Sequence, residues 1–63
     1  MTKAQRRALT KLWLRCAEPG KANPLGSLRS FHRRARQAYA IDCVMVYWCG
    51  MWVGIERDGY THT

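Results

Sequence analysis

The sequence predicts an α+β domain: two amphipathic helices packed on a small antiparallel C-terminal β-hairpin or three-stranded meander. Apolar residues recur at helical spacing over about 3–17 and again over about 27–39. β-branched and aromatic residues dominate about 43–56, around a Cys49-Gly50 step suited to a tight turn. Residues 18–26, which hold both prolines and two glycines, separate the helical segments as a loop. The chain has 63 residues, 48% of them hydrophobic. Folded chains near this size hide only about 60% of the surface they expose when unfolded. One domain fits; a multi-domain enzyme or a substrate cavity walled by a large core does not.

The first helix opens on Thr2-x-x-Gln5, a capping-box pattern in which the hydroxyl and the amide satisfy each other's backbone. Ala4, Ala8, Leu9, Leu12 and Cys16 then form one stripe, with Lys3, Arg7, Lys11 and Arg15 at every fourth position along its flank. Trp13 and Leu14 broaden the apolar surface. Pro19 disfavours helix at Glu18, so the helix is expected to end near Ala17.

Ser27 is a suitable N-cap for the second helix. Leu28, Phe31, Ala35, Ala38 and Tyr39 share one face at 100° per residue. Arg29, Arg33 and Arg36 share the opposite face, bordered by Arg34 and His32. A DNA-reading helix-turn-helix needs a turn of about three or four residues, and 18–26 is longer. Base-edge readout is therefore not expected, whereas arginine contact with phosphate or carboxylate is.

In the tail, a Cys49-Gly50 loop pairs Trp48 with Met51, Val46 with Val53 and Val44 with Ile55, all apolar and on one side. The other side pairs Tyr47 with Trp52, Met45 with Gly54 and Cys43 with Glu56. Gly54 leaves space for Met45 or an aromatic ring. Asp58-Gly59 is a second turn signal, sending about 60–63 back as a short third strand. A two-stranded ribbon is scarcely stable alone. The Val44/Val46/Val53/Ile55 face is thus expected to rest on Ala4/Ala8/Leu12 and Leu28/Phe31/Ala35.

Charge divides along the chain. Eleven Lys and Arg against four Asp and Glu give a formal +7, and residues 1–40 hold ten of those cations with one acid, Glu18. Five of the seven aromatics lie between Tyr39 and Tyr60. Clustered, unmatched positive charge points to an acidic partner. The candidate contacts are Lys3, Arg7, Lys11, Arg29, Arg33, Arg34 and Arg36, with Tyr47 and Trp52 as aromatic contacts. Arginine forks fit carboxylates and phosphates alike.

Three cysteines, an odd number, argue against a disulfide framework. Cys43 and Cys49 are six apart, and no compact C-x₂₋₄-C or H-x₃₋₅-H pair exists, so no metal site, cofactor or catalytic residue is predicted. His32 and His62 are poor general bases on this reading. The N-terminal residues carry charge without a following apolar run, and the longest apolar stretch is too short to span a bilayer. A cytoplasmic protein with no membrane contact is expected. A short chain with this much apolar surface can also complete its core with a second copy, so a homodimer is among the expectations.

The tail Asp42-Cys43-Val44-Met45-Val46, Trp48-Cys49-Gly50-Met51-Trp52, Gly54-Ile55-Glu56 and Asp58-Gly59-Tyr60-Thr61-His62 resembles a family of very small phage-encoded proteins of unsettled function. The start Met1-Thr2-Lys3-Ala4-Gln5-Arg6 and the Phe31-His32-Arg33-Arg34 segment are similar to that family too. Residues 17–26 depart from it in length and in Pro/Gly content. The resemblance implies a phage origin, action inside a bacterium and a non-enzymatic role. The expected function is a regulator that binds a host macromolecule, the RNA polymerase or its nucleic acid, through the basic helical face. The alternatives are an anti-defence, anti-CRISPR-like inhibitor anchored on a protein effector by the tail aromatics, and an accessory protein that stacks single-stranded bases on Trp52 or Tyr47.

Overall fold

A computed structural model describes residues 1–38 and 42–63. Their order is α1 (Lys3–Arg15), α2 (Leu28–Arg34), β1 (Arg36–Gln37), β2 (Val44–Trp48), β3 (Met51–Ile55) and β4 (Thr61–His62). The strands form one antiparallel sheet in the order β1-β2-β3-β4. The class is α+β, with a four-stranded sheet in place of a hairpin or three-stranded meander.

Helix α1 begins with both halves of the capping box: the Thr2 hydroxyl accepts from the Gln5 amide at 3.1 Å, and Gln5 Oε1 accepts from the Thr2 amide at 2.8 Å. It ends at Arg15, two residues before Ala17, where the Cys16 amide turns back to the Trp13 carbonyl. The following loop is tied to the helix it leaves. Trp13 Nε1 donates to the Gly26 carbonyl at 2.9 Å, and Asn23 Nδ2 donates to the Trp13 carbonyl at 2.9 Å.

Helix α2 starts after Ser27, whose hydroxyl accepts from the Ser30 amide. It stops at Arg34, well short of residue 39, because the chain turns extended at Ala35 (ψ 135°). Arg36 and Gln37 then pair with Met45 and Val44. No Gly or Pro marks this break. The competing gain is a partner for the outer edge of β2, whose backbone groups would otherwise lack one. Arg36 therefore lies on a strand and not on the arginine face of a helix. Ala38 follows that strand and donates its amide to the Cys43 carbonyl. The Tyr39 position in the expected stripe lies outside the described residues.

Strands β2 and β3 pair Val44 with Ile55, Met45 with Gly54, Val46 with Val53, Tyr47 with Trp52 and Trp48 with Met51. Positive φ at Cys49 (47°) and Gly50 (82°) makes the two-residue turn whose twist suits adjacent strands. Strand β4 adds Thr61 against Ile55 and His62 against Gly54.

The core is Ala8, Leu9 and Leu12 of α1, Phe31 of α2, and Val44, Val46, Val53 and Ile55 of the sheet, with Trp13, Leu25, Ala35 and Trp48 packed at its rim. Ala4 and Leu28, expected in this layer, are only partly buried. Each fully buried large side chain here stabilises by about 1.5–3 kcal/mol relative to exposure. Trp48 Nε1 donates to the Leu12 carbonyl at 2.8 Å, fastening the hairpin to α1. Among the described residues Gln5 is the one buried polar residue: its Nε2 donates to the carbonyls of Asp42 (2.6 Å) and Ile55 (3.1 Å). Among the described residues, no buried side-chain nitrogen or oxygen lacks a partner.

Candidate nucleic-acid interface

The two helices turn their apolar stripes to the sheet, so their charged flanks face outward. Along α1, Arg7, Lys11 and Arg15 form one wall of a groove of about 380 Å³. Ala4, Ala8 and Leu12 make its floor, and Asp58, Gly59 and Thr61 its opposite rim. From Arg7 to Arg15 the helix rises about 12 Å, the axial length of three to four successive phosphates of one DNA strand. Where α1 meets α2, Arg6, Arg29 and Arg33 line an open depression with Met1 and His32. A shallow surface of Arg6, Arg7, Thr10 and Lys11 joins the two. The result is one cationic band running across both helices.

Three of the four carboxylates are paired away from this band, and only Asp58 borders it, on the rim of the groove. Glu18 pairs with Lys21 at 3.3 Å, Asp42 with Arg57, and Glu56 with His62 at 2.6 Å. Asp58 accepts from the Tyr60 amide at 3.0 Å. Among the described residues, the nine Lys and Arg other than Lys21 and Arg57 have no carboxylate partner.

The sequence-expected contacts separate into groups. Lys3, Arg7 and Lys11 lie exposed on α1 at every fourth position, and Arg29 and Arg33 lie exposed on α2. Arg34 is taken up by the fold: its Nη2 donates to the Leu25 carbonyl, and its guanidinium stands 5.9 Å from the Phe31 ring centroid. Arg36 pairs with Met45, so it shares the sheet face turned away from the helices. Tyr47 and Trp52 occupy that same face, each 55% exposed, with ring centroids 5.5 Å apart, edge to face. The band also includes Arg6 and Arg15. Arg15 was visible in the four-residue repeat, whereas Arg6 joins the site only through the α1–α2 crossing.

His32 borders the band, its Nε2 3.1 Å from the Thr10 hydroxyl. Burial first, and then the Arg6 guanidinium, hold it below the usual imidazole value, which favours the neutral ring. Cys16 and Cys49 bring their sulfur atoms to 3.0 Å. The hydrogen bond to Cys49 and then burial hold the Cys16 thiol above its usual range. Burial first, and then the Glu56 carboxylate, do the same for Cys43.

No helix among the described residues is long and apolar enough to cross a membrane. Comparison with protein-family models, curated proteins and solved structures gives no match.

Proposed function

We propose that this protein is a small, phage-encoded, non-enzymatic regulator that binds a host macromolecule through the basic band on its helices. On this reading the ligand is the phosphate backbone of nucleic acid associated with the transcription machinery. The observation that carries this reading is the charge pairing: Glu18, Asp42 and Glu56 are paired away from the band, Asp58 at its rim accepts from the Tyr60 amide, and Arg6, Arg7, Lys11, Arg15, Arg29 and Arg33 have no carboxylate partner among the described residues. Arginines held open on short rigid helices match phosphate oxygens by charge and by fork geometry. The resemblance of the tail supplies the phage setting.

Binding of the purified chain to a labelled duplex across a salt series tests this. Contact with about five phosphates predicts an affinity loss of roughly 10²–10³-fold between 50 and 200 mM salt. Arg7→Ala combined with Lys11→Ala should flatten the log–log slope by about 2. A slope near zero in the unmodified protein would remove the reading.

A second reading rests on Tyr47 and Trp52, an exposed cross-strand aromatic pair suited to anchoring on a protein effector. On that reading Trp52→Ala weakens capture of the target more than any single arginine change, and salt has little effect.

A further inference from the structure

The sheet face turned away from the helices gathers metal-binding atoms that spacing along the chain conceals. Cys43 stands two residues before Met45, and Glu56 two residues after Gly54, while Met45, Gly54 and His62 are paired across β2, β3 and β4. Alternation along a strand therefore puts Cys43, Glu56 and His62 on one face. The Cys43 sulfur, a Glu56 carboxylate oxygen and a His62 ring nitrogen all lie within 4.8 Å of one another. We propose that these three residues bind one zinc ion, with the fourth coordination position open.

The donor set fits that metal. Thiolate, imidazole and carboxylate are the three kinds of side chain zinc takes, and three of them leave a tetrahedral site with one vacant corner. Tetrahedral bonding requires donor separations of roughly 3.3–3.6 Å, from bonds of about 2.0–2.3 Å. His62 Nε2 and Glu56 Oε2 now touch at 2.6 Å, so a zinc ion replaces their hydrogen bond after a side-chain shift of under about an ångström. Cys43 forms its metal bond as a thiolate and releases its proton to solvent. Its sulfur makes weak contacts at 3.8 Å to the Val44 carbonyl and the Met45 thioether.

Gly54 is the second observation. A Cβ at this position would come within 2.6 Å of His62 Cε1, 2.9 Å of His62 Nε2 and 3.3 Å of the Cys43 sulfur. The missing side chain is what lets imidazole and thiol converge over the sheet. An ion pair between Glu56 and His62 alone would not require the sulfur beside it. Cys43 is 2% exposed, whereas the Glu56 and His62 side chains are 42% exposed, so the ion has an approach from the solvent side. Bound there, zinc would join the start of β2, the end of β3 and the short β4, the kind of staple that small domains use.

The test uses the whole chain, stripped with a chelator and titrated with zinc, and separately with cobalt(II) as a spectroscopic probe. One zinc per chain and a thiolate-to-cobalt charge-transfer band are expected. Cys43→Ser should abolish the band. His62→Gln, on the exposed β4, should weaken zinc binding by more than the 10–100-fold that loss of an outer-shell partner costs, and this variant decides the matter if Cys43→Ser does not fold. Gly54→Ala should weaken binding as well. A Cys16→Ser, Cys49→Ser double variant should bind zinc as the unmodified chain does. Absence of stoichiometric binding, undiminished affinity in His62→Gln, or loss of binding in the Cys16/Cys49 double variant would each overturn the proposal.

Discussion

The two halves of the molecule treat charge in opposite ways. In the sheet half, Asp42, Glu56 and Asp58 each have a partner, and Arg57 is neutralised by Asp42. In the helical half, Arg6, Arg7, Lys11, Arg15, Arg29 and Arg33 stand open along one band. Like charges three and four residues apart on a helix cost a few tenths of a kcal/mol each. The helices carry that cost while three of the four acids are paired elsewhere and the fourth, Asp58, faces them only from across the groove. The contrast teaches that the positive charge is a surface property of the helices, imposed by where the carboxylates are placed.

Changes at the junction of the halves should have the largest effect. Phe31 is fully buried between the helices and the sheet. Phe31→Ala should cost about 3–5 kcal/mol, enough to unfold a domain this small, and circular dichroism in denaturant would show it. Gln5 sharpens the comparison, because it serves both halves. Gln5→Glu keeps an acceptor for the Thr2 amide but loses the donor to the Asp42 and Ile55 carbonyls. If the amide mainly stitches helix to sheet, the loss is about 1–3 kcal/mol, read as a lower denaturation midpoint. If it only caps α1, the variant should be nearly neutral.

Arginine placement gives a smaller, more selective effect. Arg33→Ala should lower the salt slope of duplex binding by about 1, whereas Arg36→Ala, on the far sheet face, should leave it unchanged. Equal effects would break the assignment of the two residues to different sides. His32 should contribute least. Its pKa is depressed, so the stability gained by keeping the ring neutral is present above the ordinary value of about 6.5 and is lost as pH falls below it. Stability should decline slightly from neutral to mildly acid pH, and His32→Gln should flatten that decline.

Much of this architecture was legible from residue patterns. The capping box and the Ala8, Leu9 and Leu12 stripe determine α1. The Cys49-Gly50 step and the matched apolar pairs determine the register of β2 and β3, because a one-residue slip would turn Val44, Val46, Val53 and Ile55 away from the core. The end of α2 was not legible. Ala35, Arg36 and Gln37 fit a helix locally, and only the edge of β2, distant in sequence, draws them into a strand. Gln5 looked like a cap because its two further acceptors, at Asp42 and Ile55, come from the other end of the chain. The same reason hid the grouping of Cys43, Glu56 and His62. Ligand spacing within a segment is visible in a sequence, whereas ligands on three neighbouring strands meet only through register.

The sulfur contact between Cys16 and Cys49 links the end of α1 to the tip of the β2–β3 hairpin. An oxidant that removed two protons and two electrons from this pair would close a covalent ring through most of the core. Restricting the unfolded chain in this way is worth about 3–4 kcal/mol for a ring of this length. The lifetime of the native state would then follow the thiol–disulfide balance of its surroundings, and in a reducing cell the molecule would rely on its packing alone.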